Sequence, residues 1–388
     1  MKEKINSIID SIYTDILKIR RHIHQYPELS FDEKNTSSYI KAILDSWNIS
    51  YSSIVENGIV VKIKGNNYNT KTIALRADID ALPINEENEI SYSSNFKNVM
   101  HACGHDAHTA MLLGVIKILN QLKNEWDGTV KFIFQPAEEV FPGGAKPMID
   151  SGVLKNPNVD KIFAQHVYPE LEVGKVGFCD GWYMASADEL NISIKGKGGH
   201  AALPQTYNNP IIASSYLITK LDNIFSKYKS KPSVLAIGYV EAKGYTNVIP
   251  DFVDLKGTFR TLDSDFRTFA HSLIKDTIFN TEKKYNVKID FDLKIGYPPL
   301  YNDPNLTSNA ISIAKEFLGD DNVVDLSYRM TAEDFAYFGK YVPACFYRLG
   351  VGNKSKGITH GLHTSKFNID EGALKIGMGI MAYLAIKA

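Results

Sequence analysis

A chain of 388 residues with 44% hydrophobic and 22% charged side chains has the composition of a globular protein of about two domains, which excludes a short peptide module, bulk disorder and a collagen-like chain. Its 43 basic and 44 acidic side chains give a formal net charge of −1, so no overall field favours nucleic acid or an anionic membrane surface as a partner. The three cysteines, Cys103, Cys179 and Cys345, are too few and too scattered for a disulfide framework, which indicates a reducing compartment. We therefore expect a cytoplasmic protein.

The first half of the chain alternates helical and strand-like segments. Residues 1–25 carry charges every few positions, so they lack the apolar stretch of a signal peptide and predict an amphipathic helix. Next come the strands GIVVKIKG and TIALRAD, a buried helix from about Ala107 to Leu122, the strand TVKFIFQ, a short helix in GGAKPMIDSG and the strand KIFAQHV. This order predicts an α/β layer.

From about Asp188 the pattern changes to a β-α-β-β-α-β order, which predicts a ferredoxin-like layer. Its elements are ELNISIKG, a helix near 208–228, SVLAIGYVEA, VDLKGTFR, a helix near 264–285 and VKIDFDLKIG. The last strand alternates Ile289, Phe291, Leu293 and Ile295 with charged residues, so we expect one face of this sheet to be buried.

After this layer the first pattern resumes, with helical segments and the strand ACFYRLG. The charge-free segment IGMGIMAYLAI at 376–386 is shorter than the about 20 residues that cross a bilayer, so it predicts a buried terminal helix. We therefore predict that residues 186–298 are inserted into a domain formed by residues 1–185 and 299–388.

The densest cluster of chemically reactive residues is MHACGHDAH at 100–108, which places Cys103 and His105 one residue apart just before the buried helix. Thiolate and imidazole suit zinc and similar divalent ions, and a helix start holds such ligands in place. Histidines also cap helices and buried cysteines are usually inert, so this cluster alone leaves a metal site and an ordinary core equally open.

Polar residues also follow several predicted strands. Glu138 and Glu139 come after KFIFQ, and because adjacent residues leave the backbone in different directions, one can face a metal while the other acts as a general base. Asp78 and Asp80 follow TIALR, and His166 follows KIFAQ. Open α/β sheets hold their sites at the carboxyl ends of strands, which favours a shared site over a solvated acidic loop or a structural histidine.

His363, in GLHTSKF, lies beyond the insertion and can return to the same site if the flanking segments form one domain. Within the insertion, the Gly-rich KGKGGHAALP matches neither a dinucleotide-binding nor a Walker motif, so we interpret it as a turn that exposes His200. Asn247 and Arg260 lie on or beside the solvent-facing side of this layer. An arginine there either solubilises the surface or clamps a carboxylate bidentately.

Nine motifs, in their order along the chain, resemble the amidohydrolase branch of the aminoacylase and carboxypeptidase metallopeptidases: RRHIHQYPELSF, LRADIDALP, MHACGHDAH, FQPAEE, QHVYP, GGHAALP, NVIPD, TAEDF and LHTSKF. That branch includes hippurate hydrolases, N-acetyldiaminopimelate deacetylases, indole-acetyl-amino-acid hydrolases and some carboxypeptidases. The resemblance spans almost the whole chain. It implies a mixed-sheet, exopeptidase-like catalytic domain with two divalent metal ions (zinc, manganese, cobalt or nickel), and an inserted lid domain through which subunits form a homodimer or a tetramer.

The resemblance also implies a role for each site residue. The places of the metal ligands are taken by Cys103, His105, Glu139, His166 and His363, with the Cys103 thiolate bridging the ions. Glu138 takes the place of the general base, and Asp78 that of a carboxylate that orients a ligand. The oxyanion-stabilising place is taken by His200 of the partner subunit, and the substrate-contacting places by Asn247 and Arg260.

The implied function is metal-dependent hydrolysis of the amide bond of N-acyl amino acids, with an N-acetyl, N-benzoyl or related acyl group, to a carboxylic acid and a free amino acid. Glu138 would deprotonate the attacking water and pass the proton to the leaving amine, and Arg260 would hold the α-carboxylate. The alternatives are a carboxypeptidase or dipeptidase acting on short peptides, and a metal-bearing paralogue that binds amino-acid conjugates without turnover. A further rival, a cysteine amidase with Cys103 as nucleophile and His105 as base, is disfavoured because residues at i and i+2 point poorly at one another.

Overall fold

The apolar patterns of the sequence become eight α-helices and sixteen β-strands in the computed structural model, which describes residues 1–388. The helices are α1 (Lys2–Gln25), α2 (Lys34–Ser46), α3 (His105–Gln121), α4 (Ala145–Asp150), α5 (Pro210–Phe225), α6 (Ser264–Tyr285), α7 (Pro304–Leu318) and α8 (Ala373–Lys387). The strands are β1 (Tyr51–Ile54), β2 (Gly58–Lys64), β3 (Thr72–Asp78), β4 (Thr129–Gln135), β5 (Lys161–Glu172), β6 (Val176–Phe178), β7 (Gly181–Met184), β8 (Asp188–Lys195), β9 (Gly199–His200), β10 (Ser233–Glu241), β11 (Val248–Ile249), β12 (Phe252–Thr261), β13 (Lys288–Ile295), β14 (Leu300–Asn302), β15 (Val323–Asp325) and β16 (Ala344–Gly352). None of the helices combines the length and the apolar character that a membrane span requires.

The chain divides into two compact units. The first unit consists of Met1–Gly181, Tyr301–Ser327 and Asp334–Ala388, and the second of Trp182–Leu300 and Tyr328–Glu333. The division into a catalytic domain at residues 1–185 and 299–388 and a lid at residues 186–298 stays a prediction.

An eight-stranded mixed sheet, in the order β1-β2-β4-β3-β5-β16-β6-β15, forms the centre of the first unit. Strands β4, β3, β5 and β16 run parallel to one another, whereas β2 is antiparallel to β4 and β6 is antiparallel to β16. The carboxyl ends of the four parallel strands therefore lie at one edge of the sheet, the edge at which open α/β sheets hold ligands. The α/β class and the mixed sheet expected from the sequence are confirmed.

Helix α1 is amphipathic, as predicted, because isoleucines recur along one face at helical spacing. The buried members of this stripe are Ile5, Ile9, Ile12, Ile16, Ile19 and Ile23, and α1 packs against α3 and α8. Helices α3 and α8 approach each other closely: a Cβ on Gly114 would lie 2.2 Å from Met378 Sδ, and one on Gly377 would lie 2.2 Å from Met111 Sδ. This packing supports the helix that begins at His105 along its buried length.

A four-stranded antiparallel sheet, in the order β10-β12-β8-β13, forms the centre of the second unit, with α5 and α6 packed against it. The chain order β8-α5-β10-β12-α6-β13 is the predicted β-α-β-β-α-β order. Along β13 the predicted alternation gives a buried Ile289, but Ile295 is exposed. The expectation for Ile295 is wrong because β13 is the edge strand and Ile295 is its last residue.

Candidate metal centre

Neighbouring elements of the first unit bring the candidate ligands to one edge of the sheet. Asp78 is the last residue of β3, and Glu138 and Glu139 follow β4, which is paired with β3 in parallel. His105 is the first residue of α3, and Cys103 precedes it by one turn-forming glycine. The predicted placement of these residues at strand ends and at a helix start is therefore correct.

His166 and His363 reach the same place by routes that the sequence pattern does not reveal. The sequence pattern predicted His166 at the end of a strand, but it lies within β5. The strand is longer than predicted because β16 stays paired with it as far as Glu172. Strand β3 pairs with β5 only as far as Ala164, so His166 lies just beyond the end of that pairing. His363 follows β16 in a left-handed conformation, with φ of +60°, and its N–H donates to Ala102 O at 2.9 Å.

The donor atoms of the five candidate ligands converge. Cys103 Sγ lies 3.4 Å from His166 Nε2 and 3.3 Å from His363 Nε2. Glu139 Oε1 lies 3.2 Å from His363 Nε2 and 3.8 Å from His105 Nε2. Three overlapping groups, each with its ligand atoms within 4.8 Å of one another, join these residues: Cys103 with His105 and His166, Cys103 with Glu139 and His363, and His105 with Glu138 and Glu139. Glu138 therefore belongs to the same cluster as the five candidate ligands.

Hydrogen bonds fix the orientation of two of these histidines. His105 Nδ1 lies 2.9 Å from the carbonyl oxygen of Asp80 and 3.1 Å from its Oδ1, and His166 Nδ1 lies 2.8 Å from Val167 O. Because each of these partners only accepts, each ring keeps a proton on Nδ1, and in the neutral form that binds a metal the lone pair lies on Nε2. Both Nε2 atoms then present the lone pair that a metal ion binds.

Asp80 supports the cluster through three hydrogen bonds of its carboxylate, which its position after a strand did not predict. Its Oδ1 accepts from His105, and its Oδ2 accepts from the backbone N–H of Glu139 at 2.9 Å and from Ser30 Oγ at 2.6 Å. One buried carboxylate thus fixes a ring on α3 and the backbone of a loop after β4. The sequence signal was the strand-end pair with Asp78, but nothing in the pattern distinguished the two aspartates.

Asp78 contacts His108, which is not among the predicted site residues. Asp78 Oδ1 accepts from His108 Nδ1 at 2.6 Å, and Asp78 Oδ2 accepts from Arg76 Nη1 at 2.6 Å. The other ring nitrogen, His108 Nε2, accepts from the backbone N–H of Val167 at 2.9 Å, beside His166. Both nitrogens of His108 are thereby engaged, so this histidine joins Asp78 to β5 and is not a candidate ligand. Its only signal in the sequence was its place in MHACGHDAH.

The chemistry of this donor set fits a divalent cation. His105 Nε2 and Glu139 Oε1 are buried and make no hydrogen bond of regular geometry, although Glu139 Oε1 lies 3.2 Å from His363 Nε2, and such atoms are rare in protein interiors. Burial lowers the pKa of His105, but the negative charges of Asp78, Asp80 and Glu139 outweigh burial and raise the pKa to about 10. A buried pocket with this excess of negative charge needs a compensating cation, and mixed thiolate, imidazole and carboxylate ligands suit zinc, manganese, cobalt and nickel.

The surroundings of Cys103 do not favour a nucleophilic role. Burial, followed by the negative charges of Glu139, Glu138 and Asp78, raises the pKa of the Cys103 thiol well above its usual range. A nucleophilic cysteine is instead a thiolate stabilised by nearby positive charge. The electrostatic surroundings of Cys103 therefore do not support the cysteine amidase hypothesis, although two imidazoles lie near its Sγ.

The remaining predicted site residues lie in the second unit. His200 on β9 and Asn247 beside β11 are exposed, and these two short strands pair with each other, with Val248 opposite His200. The N–H of Ala201 donates to Asn247 O at 3.0 Å, so the structure brings His200 and Asn247 together on one ribbon. Arg260 lies on β12, is half-buried, and donates from Nη1 to Met330 O at 3.3 Å. Burial lowers its pKa from the ordinary value.

Known proteins resemble this chain over its whole length. The family model of peptidase family M20/M25/M40 matches residues 74–387. The N-acetyldiaminopimelate deacetylase of Priestia megaterium is 37% identical over 374 residues, which is 95% of this chain and 96% of that protein. Thermostable carboxypeptidase 1 of Saccharolobus solfataricus is 35% identical over 391 residues, 99% of this chain and 98% of that protein. The YXEP protein of Bacillus subtilis, a dinuclear metal binding peptidase of the M20 family, has a crystal structure that matches with a TM-score of 0.84 at 34% identity, covering 97% of this chain and 98% of that chain.

Proposed function

The chain belongs to peptidase family M20/M25/M40, and on this premise we propose that it is a metal-dependent amidohydrolase that cleaves N-acyl amino acids to a carboxylic acid and a free amino acid. The observation that carries the proposal is the convergence of one thiol, three imidazoles and two adjacent carboxylates at the edge of the mixed sheet where its four parallel strands end. The similarity to an N-acetyldiaminopimelate deacetylase supports an N-acyl amino acid as the substrate class.

The finer proposal is that two divalent ions bind per subunit. The ligands are Cys103, His105, Glu139, His166 and His363, with Cys103 between the two groups of donors because its Sγ is close to both His166 and His363. Similarity to a dinuclear metal binding peptidase supports the number of ions. When bound, such ions polarise the scissile carbonyl and lower the pKa of water.

Glu138 is proposed as the general base. It is 6% exposed, and one of its carboxylate oxygens lies within 4.8 Å of the ligand atoms of His105 and Glu139. Because Glu139 is committed to the ligand set, the carboxylate of Glu138, which leaves the backbone in another direction, takes the proton of the attacking water. The same carboxyl group then donates that proton to the nitrogen of the leaving amine, so the base is regenerated at the end of each turnover.

The substrate-binding roles of the second unit also belong to this proposal. Arg260, a half-buried guanidinium, suits the free α-carboxylate of the substrate because a desolvated cation binds an anion more strongly than a hydrated one. His200 of the partner subunit would donate to the oxyanion, and Asn247, on the same ribbon as His200, would contact the substrate. This arrangement requires at least a homodimer.

The second candidate function is removal of the C-terminal residue from short peptides. The similarity to a thermostable carboxypeptidase over 99% of this chain favours it. An N-acyl amino acid and a dipeptide share the amide bond and the free α-carboxylate that the proposed site recognises, so the two functions differ only in the acyl side of the bond.

The proposal is tested by measuring amine release by the metal-reloaded protein. The substrates are a panel of N-acetyl, N-benzoyl and indole-acetyl amino acids and dipeptides. Glu138→Gln is expected to bind metal and to fold like the wild type while losing turnover by at least about a thousandfold, because the amide cannot accept the proton. The control is Glu170→Gln, an exposed position on β5, which is expected to keep normal turnover. Normal amine release by Glu138→Gln contradicts the role of Glu138, and His200→Ala with normal turnover contradicts the proposed donation by His200 to the oxyanion.

A further inference from the structure

The loop that carries Glu138 and Glu139 contains a residue in a strained backbone conformation. Ala137, directly before the two glutamates, has φ of +55° and is fully buried. A residue with a Cβ enters this left-handed region at a cost in free energy, and such a conformation persists only where surrounding contacts stabilise it. The contacts of Ala137 therefore determine the direction in which the chain enters Glu138 and Glu139.

Both polar backbone groups of Ala137 are engaged. Its N–H donates to Glu33 Oε1 at 2.7 Å, and its carbonyl oxygen accepts from the N–H of Gly144 at 2.9 Å. The Gly144 contact closes the loop on itself, whereas the Glu33 contact comes from a distant part of the chain. Only Glu33 therefore ties the loop to the body of the first unit at this position.

Glu33 is placed unusually for this task. It occupies the residue before α2, where a short polar side chain commonly caps the helix, but its side chain makes no cap hydrogen bond. The side chain is instead fully buried, with Oε2 accepting from Asn57 Nδ2 at 2.9 Å. Burial and the charge of Asp80 raise the pKa of Glu33 to about 7. A buried carboxylate without a basic partner is a costly way to stabilise a fold, since an apolar residue would serve that purpose at lower cost.

The segment that contains Glu33 also supports the other side of the same loop. Ser30 Oγ donates to Asp80 Oδ2 at 2.6 Å, and the same oxygen accepts from the N–H of Glu139 at 2.9 Å. Glu138 thus lies between two backbone positions that are both held from residues 30–33. Glu33 accepts directly from the N–H of Ala137, and Ser30 holds the Asp80 carboxylate that accepts from the N–H of Glu139. These residues lie outside 74–387, the part of the chain that the family model matches.

We propose that Glu33 is a positioning residue that acts through Ala137: its carboxylate holds the left-handed backbone that directs Glu138 and Glu139 into their separate places. This inference rests on the proposed function, in which Glu138 is the general base and Glu139 a metal ligand. It adds a residue from the N-terminal segment that touches neither substrate nor metal and still controls turnover.

The nearly isosteric substitution Glu33→Gln isolates this role. The amide has one accepting oxygen, so if that oxygen faces Ala137 N–H, its NH₂ faces Asn57 Nδ2, which is also a donor. Rotating the Asn57 amide offers no escape, because its Nδ2 also donates to Phe31 O at 3.2 Å. Whichever way the two amides turn, two hydrogen-bond donors or two acceptors face each other. The hydrogen bond to the N–H of Ala137 is therefore weakened without a change in side-chain volume.

A double-mutant cycle with Ala137→Gly tests the proposal, because glycine adopts positive φ without a steric penalty. Glu33→Gln in the otherwise wild-type chain is expected to lower kcat and metal affinity by roughly 10- to 100-fold each, with KM little changed. In the Ala137→Gly background the same substitution is expected to lower both by less than about threefold. The metal affinity is measured by titrating the metal-free protein with Co²⁺ in competition with a chromophoric chelator, which does not depend on turnover.

Ile40→Val, in the fully buried core of α2, is the control for general destabilisation. It is expected to lower the melting temperature while kcat and Co²⁺ affinity stay within twofold of wild type. If Glu33→Gln does not fold, Glu33→Asp, which is one methylene shorter and cannot span the same distance to Ala137, replaces it in the cycle.

Three outcomes overturn the proposal. They are a Glu33→Gln protein with kcat and Co²⁺ affinity within twofold of wild type, a loss that is equally large with and without Ala137→Gly, and a comparable loss in Ile40→Val. Failure of the proposed function can be distinguished from failure of this inference. The first appears as absent amine release in the wild type, whereas the Co²⁺ titration still reports whether Glu33 affects metal binding at Glu139.

Discussion

Asp80 is the residue whose substitution tests the support of the metal centre most sharply. Its carboxylate accepts from His105 Nδ1 at 3.1 Å on one oxygen, and from Glu139 N at 2.9 Å and Ser30 Oγ at 2.6 Å on the other. In Asp80→Asn only one of the two side-chain positions, the one that faces His105 or the one that faces Glu139, keeps an accepting oxygen. The new NH₂ group therefore faces either the N–H of His105 or the N–H of Glu139, and both are donors.

Either orientation disturbs one proposed metal ligand. The lost hydrogen bond involves a charged acceptor in a buried site, which corresponds to about 1.5–3 kcal/mol. At 1.4 kcal/mol per factor of ten, metal affinity is expected to fall by roughly 10- to 100-fold, the range found when outer partners of metal ligands are changed. Ser30→Ala removes only the hydroxyl donor and leaves both ligand contacts, so its effect is expected to stay below about fivefold.

Competition between each metal-free protein and a chromophoric chelator for Zn²⁺ or Co²⁺ measures these affinities, and the melting temperature without metal checks that each variant folds. Metal affinity is expected to decrease in the order wild type, Ser30→Ala, Asp80→Asn. An Asp80→Asn protein that binds either metal within twofold of wild type, while folding normally, would refute the reasoning.

Two further predictions concern stability away from the ligands. Lys131→Met is expected to lower the free energy of unfolding, measured by urea titration, by about 2–4 kcal/mol. The buried ammonium of Lys131 donates to three backbone carbonyls, and methionine leaves all three without that donor. An unchanged urea midpoint would contradict this prediction. His24 is buried; burial lowers its pKa, but Asp106 and Glu86 outweigh burial, and the pKa is raised. Its ion pairs therefore stabilise the fold fully below about pH 6.5 and less as pH rises through the raised pKa, so the melting-temperature advantage of wild type over His24→Gln should be larger at pH 6 than at pH 9. An equal advantage at both pH values would show that the charge of His24 contributes nothing.

Features set by periodicity were predictable from the sequence. The isoleucine stripe of α1 and the apolar α3 and α8 specify how these helices pack, and the alternation near residue 290 specifies a sheet with one buried face. The rule that ligands lie at the carboxyl ends of parallel strands placed Asp78, Glu138 and Glu139 correctly. These features depend on the spacing of residues that are close in the chain, so a single sequence is enough to predict them.

Features set by long-range pairing were not predictable in the same way. The length of β5, and so the position of His166 within it, depends on how far β16 remains paired with it. The engagement of both nitrogens of His108, and the hold of Glu33 on Ala137, join residues that are 30 to 104 positions apart in the chain. No local pattern marks such contacts, so Glu33 was absent from the predicted site.

The central claim is that this cluster catalyses metal-dependent hydrolysis of N-acyl amino acids. The most direct test adds Zn²⁺, Mn²⁺ or Co²⁺ in measured equivalents to the metal-free protein and follows amine release from a panel of N-acyl amino acids and dipeptides. We expect no release without metal and a rate that rises until about two equivalents per subunit are bound, in keeping with a two-ion site. Full activity of the metal-free protein, or no release from any N-acyl amino acid or dipeptide with two ions bound, would contradict it.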